Sequence, residues 1–289
     1  MAYVNEYGSG INLDSMVVPV KAATVYAAQE SSLYIPGAIV PNIVVPDGSA
    51  SAQVPLMGSV EAITVSAAGG ETDPGVDFAS KLPTNTKKTI ALDLHASRTI
   101  LRDLGGIDTA DMGRIMGNSI ATAVDKAVTT QFAGLTAQEL TGAVGQGVLA
   151  LADIFTAVGT IRGQGETGQL FGIVGTNQYA NLLGAIGSNS FAGGEFQNTA
   201  MRNGYFGNIA GVECYVSSYL NDTDMGTTNQ NPAMAIFSAD AVKMASQGGV
   251  KIEVARRPEA VGFDVVASMA MGALVIDASR GVIIEDSQA

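Results

Sequence analysis

The clearest hydrophobic pattern in the chain is a helical one between residues 108 and 132. Apolar side chains recur there at spacings of three and four residues, which places them on one face of a helix. They are Met112, Ile115, Met116, Ile120, Ala123, Val124, Ala127 and Val128. Asp108 is a good N-cap, and Asp111 suits the positive end of the helix dipole. The pattern predicts a helix of about 25 residues, or about 37 Å, which is long enough to act as a structural spine.

From residue 148 onward the pattern predicts an α/β unit followed by strands. Residues 149–161 have helical spacing. The apolar face of that helix is predicted to carry Ile154, Phe155, Val158 and Ile161. Residues 170–174 predict a buried strand, and Thr176 caps a short helix after it. The other predicted elements are strands at 209–217, 233–237, 250–254, 261–269, 273–276 and 282–284, and a short helix at 239–245.

The first fifty residues show no helical period and contain prolines at 19, 36, 41 and 46. Proline fixes φ and pushes the residue before it toward extended geometry. Segments 17–20 and 43–46 are therefore predicted to be extended. An apolar arm of this kind is stable only when it lies against something else, either the core of this chain or a neighbouring chain.

Residues 51–88 predict a long excursion of two strands. The turn residues of its tip, at 67–75, include three glycines and a proline. Residues 89–95 alternate apolar and polar with a period of two, which predicts the returning strand. His95 falls on the polar phase of that alternation, so its side chain is predicted to face solvent.

Composition excludes several function classes. The 289 residues include 27 acidic and 15 basic side chains, for a net charge of −12, whereas a nucleic-acid-binding protein needs clustered basic residues. The single Cys214 excludes an intrachain disulfide and a cysteine zinc cluster, and the single His95 excludes paired-histidine sites. The first thirty residues lack the basic region of a signal peptide. The longest apolar run, 265–276, is interpreted as a buried strand pair, because spanning a bilayer takes about 20 residues.

One motif resembles a nucleotide site. Gly163, Gly165 and Gly168 match the GxGxxG spacing, but that motif functions after a strand and before a helix. Here a predicted helix precedes the glycines and a strand follows, and Glu166 within the loop would repel phosphate. The segment is interpreted as a helix-to-strand turn.

Other charged residues carry no catalytic pattern. Glu253, Glu259 and Asp264 are interpreted as the solvated face of a strand region, not as an acid/base pair. Arg256 and Arg257 are too few for nucleic acid on an acidic background, so they are predicted to form contacts between subunits. The sequence predicts no catalytic, cofactor-binding or metal-binding residues.

The order of these elements resembles the major capsid proteins of tailed bacteriophages, with the Hong Kong 97-type fold. The most similar segments are residues 171–179 and 203–216, the second with a pattern of glycine, short apolar run, glycine-valine and strand. The resemblance implies an α+β fold with four parts. They are an N-terminal arm (1–50), an extended loop (51–89), a peripheral domain with the spine helix (90–147 and 248–289), and an α/β axial domain (148–247).

The resemblance also implies a function. We expect a structural protein that assembles with itself into hexamers and pentamers of an icosahedral head, in the host cytoplasm, around double-stranded DNA that it does not bind specifically. No charged helical extension of the scaffolding type is seen, so a separate scaffolding protein and a portal are the expected partners. Lys81, Lys87 and Lys88 lie at the return of the loop and are candidate inter-subunit contacts.

Three alternatives stay open at this stage. An encapsulin-like compartment shell would share the fold and enclose a cargo enzyme. A nucleotide-binding enzyme would use residues 163–168. A tail or decoration protein would form tubes or trimers instead of closed shells.

Overall fold

The computed structural model describes residues 13–56, 86–102, 109–140, 147–176, 178–182, 205–220, 230–257, 259 and 262–287. Lys81, the predicted loop tip at 67–75 and the predicted N-cap Asp108 lie outside these residues. No helix of the described chain is long and apolar enough to cross a membrane.

The described chain is a mixture of helices and strands, which confirms the predicted α+β class. The helices are α1 (Leu13–Ser31), α2 (Thr109–Gln131) and α3 (Leu151–Gly163), with 3₁₀ turns at Phe132–Gly134 and Ala278–Arg280. The first six strands are β1 (Asn42–Val44), β2 (Ser51–Leu56), β3 (Thr86–Ala91), β4 (Asp93–Arg102), β5 (Thr136–Glu139) and β6 (Leu170–Gly175). The other strands are β7 (Tyr205–Ile209), β8 (Val212–Ser217), β9 (Gln230–Ser238), β10 (Val242–Arg257), β11 (Gly262–Val275) and β12 (Gly281–Ser287).

The predicted spine helix is confirmed as α2. Its predicted apolar face is largely the face that the fold buries. The buried members are Met112, Met116, Ile120, Val124 and Val128. Ile115 is the departure, because 67% of it is exposed.

The prediction of an extended segment at 17–20 is wrong, because these residues belong to α1 and Pro19 lies inside that helix. Proline costs about 3 kcal/mol in a helix interior, so packing must offset the loss. α1 lies directly along α2, whose Gly113 and Gly117 have no side chain to separate the two helices. A Cβ at Gly113 would lie 2.7 Å from the Cβ of Ala23, and one at Gly117 would lie 2.5 Å from the Thr24 carbonyl oxygen. Local sequence rules for proline do not register this tertiary contact.

The strands form two large sheets and one ribbon. A four-stranded sheet has the order β1-β10-β11-β4, and a six-stranded sheet has the order β5-β12-β9-β6-β8-β7. β2 and β3 pair with each other as an antiparallel ribbon, the base of the predicted extended loop. β12 pairs with β9, and β5 pairs with β12 at the edge, so both strands lie in the six-stranded sheet although their segments were assigned to the peripheral domain. The boundaries between the predicted domains stay a prediction.

The centre of the six-stranded sheet is buried on both faces. All six residues of β6, from Leu170 to Gly175, are buried, as its apolar sequence predicts. α3 covers one face with Ile154, Ala157 and Ile161, each fully buried. The prediction that Phe155 belongs to this face is wrong: 53% of it is exposed.

Three further predictions need correction. Residues 239–245 are not helical, because a turn at 239–241 leads directly into β10. Residues 265–276 are not a strand pair, since β11 runs unbroken to Val275 and β10 is its partner over almost its whole length. The predicted strand 209–217 is interrupted by a two-residue turn between β7 and β8, in which Ala210 has a φ of 56° and Gly211 a φ of 82°.

One apolar core joins the two sheets below α2. Phe132, at the end of α2, lies 4.9 Å from Phe237 of β9 between ring centroids, and Phe237 in turn contacts Phe171 of β6 at 6.5 Å. The same cluster contains Val265 and Met271 of β11. The spine helix therefore packs on residues of both sheets.

Candidate assembly surfaces

The described members of the predicted basic contact set occupy two separate places. Lys87 is exposed on β3, and Lys88 beside it donates from its Nζ to the carbonyl oxygen of Val275 at 3.1 Å. Arg256 lies at the far end of β10, with its guanidinium 5.6 Å from the ring centroid of Phe263. Arg257 is the next residue of that strand, opposite Gly262.

The β10–β11 hairpin separates the two groups. Val275 lies at one end of β11 and Phe263 at the other, a distance of about 40 Å at the rise of an antiparallel strand. The structure therefore does not bring these basic residues into one site. Their role between subunits stays a prediction.

A stronger surface feature, which the sequence reasoning missed, is the orientation of β4. The pairing of β4 with β11 shows which side chains of β4 face the core. The β4 residues His95, Ser97 and Thr99 pair with residues of β11. Their partners are, in that order, Met269, Ala267 and Val265. The last three residues belong to the buried core. The polar residues of β4 therefore lie on the core side of the sheet.

The apolar residues of β4 lie on the outer face. Leu94 is 70% exposed, Ile100 is 40% exposed, and Ala96 between them is also exposed. A sheet with one solvated face normally carries its polar residues outside and its apolar residues inside. The alternation of residue types was visible in the sequence, but a period of two does not say which phase faces the core.

A charged pair divides this apolar row. Arg98 donates from Nε to both carboxylate oxygens of Asp264, at 2.8 and 2.9 Å, and from Nη2 to Oδ2 at 2.5 Å. These hydrogen bonds raise the pKa of Arg98 above its ordinary value. The pair neutralises the charge that the outer face would otherwise present beside Ile100 and Leu94. The outer face of β4, defined as Leu94, Ala96, Arg98 and Ile100, is thus close to neutral.

His95 departs from its predicted solvated environment. Its side chain is half-buried on the core side of the sheet, and its Nε2 is buried with no hydrogen-bond partner. A buried polar atom left unpaired costs stability. The orientation of β4 is thus unfavourable at His95 and at Leu94 alike when the chain is alone.

The helices also expose a few apolar side chains, but these do not form a continuous row as on β4. Val18 and Tyr26 of α1 are 70% and 68% exposed and lie two helical turns apart, on the side away from α2. Val148, just before α3, is about half exposed, as is Phe155 within it. Scattered single residues of this kind are common on soluble proteins.

The GxGxxG segment is a helix-to-strand turn, as predicted. Gly163 ends α3, and Gly165 takes a φ of 86°, a conformation that favours glycine. Glu166 occupies the loop: its Oε1 accepts the Gly168 N–H at 2.8 Å, and its Oε2 pairs with Arg280 at 3.0 Å. A carboxylate therefore holds the position that a phosphate would need.

The carboxylates considered from sequence do not converge. Glu253 and Glu259 are exposed, and Asp264 is bound by Arg98. In the described part of the chain, no group of three or more histidine, cysteine or acidic side chains could hold a metal ion.

Comparison with known protein families gives a match that covers most of the chain. Residues 96–284, more than half of the chain, match a family described as phage capsid protein. No curated protein matches the chain in sequence.

Solved structures extend the match to the fold of nearly the whole chain. The capsid of Cyanophage P-SCSP1u has a TM-score of 0.64 at 17% identity, with 88% of each chain covered. The capsid of Ralstonia phage GP4 has the same TM-score and coverage at 12% identity. A virus-like particle from Pyrococcus furiosus has a TM-score of 0.63 at 12% identity, with 93% of this chain and 98% of that chain covered. At these identities the likeness is one of fold.

Proposed function

The chain belongs to the family of phage capsid proteins, and from this premise we propose that it forms the head of a tailed bacteriophage as its major capsid protein. The subunits assemble in the host cytoplasm into hexamers and pentamers of an icosahedral shell around double-stranded DNA. A separate scaffolding protein and a portal are the partners of assembly. The expected resemblance to tailed-phage capsid proteins is confirmed at the level of family and fold.

The outer face of β4 is the observation that carries the proposal of self-assembly. This face exposes Leu94 and Ile100 on a ten-residue strand at the edge of its sheet. Exposed apolar residues on a sheet face mark interaction sites, and an edge strand presents unpaired backbone groups. In a shell, a neighbouring subunit would cover both features.

The charge of the chain supports the role proposed for DNA. A net charge of −12 repels the phosphate backbone. A wall of this kind encloses DNA without holding it, so the packaged molecule remains free to slide during filling and ejection. As contacts between subunits we propose the basic residues Lys81, Lys87, Lys88, Arg256 and Arg257.

Substitution of Leu94 tests the proposal. In Leu94→Asp, we expect closed shells to be lost when the chain is expressed with its scaffolding protein and viewed by electron microscopy. Leu94→Met keeps an apolar side chain and should assemble as the parent does. Because Leu94 is 70% exposed, both variants should unfold at the temperature of the parent when unassembled.

Two outcomes would contradict the proposal. Normal shells from Leu94→Asp would remove the outer face of β4 from assembly. A parent chain that remains monomeric under all assembly conditions, with or without scaffold, would contradict the capsid function itself.

One of the similar structures is described as a virus-like particle and not as a phage capsid, so we retain an encapsulin-like compartment shell, which would share the fold, as the second candidate. The two candidates predict different contents. Particles purified from the cells that naturally produce them should contain double-stranded DNA if the chain builds a phage head. They should contain a cargo protein and no genomic DNA if it builds a compartment. Portal and terminase genes beside the coding gene would also distinguish the first from the second.

A further inference from the structure

Apart from the long passage from β4 through α2 to β5, the described chain passes between its two large sheets at two short connections. The first crossing is the turn at 239–241, which leads from β9 of the six-stranded sheet into β10 of the four-stranded sheet. The second crossing, at 276–280, leads back from β11 to β12. The amides of Ile276 and Asp277 both donate to the carbonyl oxygen of Ala241, at 2.8 and 3.2 Å. The two crossings therefore lie side by side.

Arg280 contacts a carboxylate on each crossing and a third on a different segment. Its Nε lies 3.1 Å from Oδ2 of Asp277, on the second crossing. Its Nη1 lies 3.7 Å from Oδ2 of Asp240, on the first crossing, and 3.0 Å from Oε2 of Glu166, in the turn between α3 and β6. One guanidinium thus joins three segments that are far apart in sequence.

The surroundings of Arg280 are built to hold this arrangement. The Glu166 side chain is only 9% exposed, so its charge depends on Arg280 for compensation. Arg162 fixes the same turn by donating to the carbonyl oxygens of Glu166 and Gly168, at 2.9 and 2.8 Å. On the first crossing, the Lys243 ammonium donates to Asp240 at 2.7 Å.

The two aspartates remain charged in this setting. The hydrogen bond from Lys243 lowers the pKa of Asp240, and its charge and that of Arg280 act in the same direction. Burial acts to raise the pKa of Asp277, but hydrogen bonds from Ser279 and Arg280 outweigh it, so that pKa also lies below its ordinary value. Charge-assisted hydrogen bonds of this type are stronger than neutral ones.

We propose that the ion pairs of Arg280 with Asp240, Asp277 and Glu166 hold the two crossings together and hold both against the turn at 164–169. We call this cluster of four side chains the latch. The shared core below α2 sets where the sheets lie, and the latch determines how often the two crossings separate. The inference concerns the single subunit and does not depend on what the assembled shell contains.

Hydrogen exchange measures that opening directly. In the unassembled full-length chain, Arg280→Gln should increase the exchange rate of the Ile276 and Asp277 amides about tenfold, since a lost charged hydrogen bond makes opening easier by roughly that factor. Arg280→Lys keeps the charge but not the fork of donors, so its exchange should lie between that of Arg280→Gln and the parent.

Arg114→Gln is the matched control, because Arg114 pairs with Asp111 within α2, and both side chains are exposed there. Its exchange at 276 and 277 should equal that of the parent. Equal rates in Arg280→Gln and the parent would overturn the proposal, as would an equal increase in Arg114→Gln.

Salt provides a test that needs no variant. Raising the ionic strength to about 1 M shortens the screening length to about 3 Å. Exchange at 276 and 277 should then accelerate, while exchange in the buried strand β6 should not. An unchanged rate at 276 and 277 would overturn the proposal even if Arg280→Gln failed to fold.

Discussion

The two large sheets differ in how much of their surface this chain covers. The six-stranded sheet has a central strand, β6, that is buried along its whole length. The four-stranded sheet is covered by helices on one face, while its other face exposes Leu94 and Ile100. The first sheet is covered at its centre within the subunit. The outer face of the second is covered by the β2–β3 ribbon at one end, and at β4 it gains a partner only from outside. We therefore expect substitutions at contacts within the subunit to change its stability, and substitutions on the outer face of β4 to change its assembly.

A glycine-to-alanine pair should give the largest effects on stability. In the four-stranded sheet, a Cβ at Gly272 would overlap the carbonyl oxygen of Ala91, a backbone atom that cannot turn away. In the six-stranded sheet, a Cβ at Gly172 would lie 2.5 Å from the terminal methyl of Met234, which can rotate, and 2.9 Å from a methyl of Val212; both contacts are with side chains and not with the backbone. We expect Gly272→Ala to lower the free energy of unfolding by more than about 3 kcal/mol and Gly172→Ala by about 1–2 kcal/mol.

Urea denaturation of the two unassembled variants measures this difference. The comparison controls itself, because the same methyl group is added in both sheets. If Gly172→Ala were the more damaging, the six-stranded sheet would be the less adaptable of the two.

The joint between α1 and α2 should give an intermediate effect. Asp125 of α2 is buried and accepts the Ser32 hydroxyl at 2.5 Å and the Leu33 N–H at 3.1 Å. Asp125→Ala leaves both donors without a partner and should cost about 2–3 kcal/mol. Asp125→Asn keeps an acceptor oxygen and should cost less.

The same carboxyl makes this joint sensitive to pH. Burial raises the pKa of Asp125, and the hydrogen bonds from Ser32 and Leu33 offset only part of that effect. The folded chain therefore binds a proton more tightly than the unfolded chain does. The contribution of this group is complete below its unfolded pKa and is lost as the pH rises through its folded pKa.

Denaturation of the parent and Asp125→Asn across acidic pH tests that sign. The stability of the parent relative to Asp125→Asn should fall as the pH rises from the ordinary aspartate pKa upward. A relative stability that rises instead would show that the hydrogen bonds outweigh burial.

Strong local patterns predicted the parts of the fold that this chain completes by itself. The helical stripe of α2 and the apolar run of β6 each contain their own signal. The sequence of α1 contains no such local signal. Pro19 disfavours a helix there, and close contact with Gly113 and Gly117 of α2 stabilises one nevertheless. Residues 239–245 were misassigned for a related reason, since the chain there changes sheets and pairs with distant β11.

The candidate surface was harder to predict than the fold. The alternation in β4 is plain in the sequence, but the side of the sheet that α2 covers decides which phase is buried. That choice depends on Met269, Ala267 and Val265, more than 160 residues further along the chain. The predicted basic residues were easy to find because of their charge, yet the positions of the described ones, near opposite ends of the β10–β11 hairpin, depend on strand register.

Thiol labelling compares the two sheets directly and should change the stability of the subunit least. Cys214 is fully buried in β8 of the six-stranded sheet, and burial raises the pKa of its thiol to about 12. Because the thiolate is the reactive form, Cys214 should react about 1,000-fold more slowly at pH 8 than an exposed thiol does. That rate should be the same before and after assembly. In Leu94→Cys, the thiol introduced at position 94 should react quickly in the unassembled chain and slowly in shells. Protection of Cys214 alone on assembly would show that the six-stranded sheet, and not β4, gains the partner from outside.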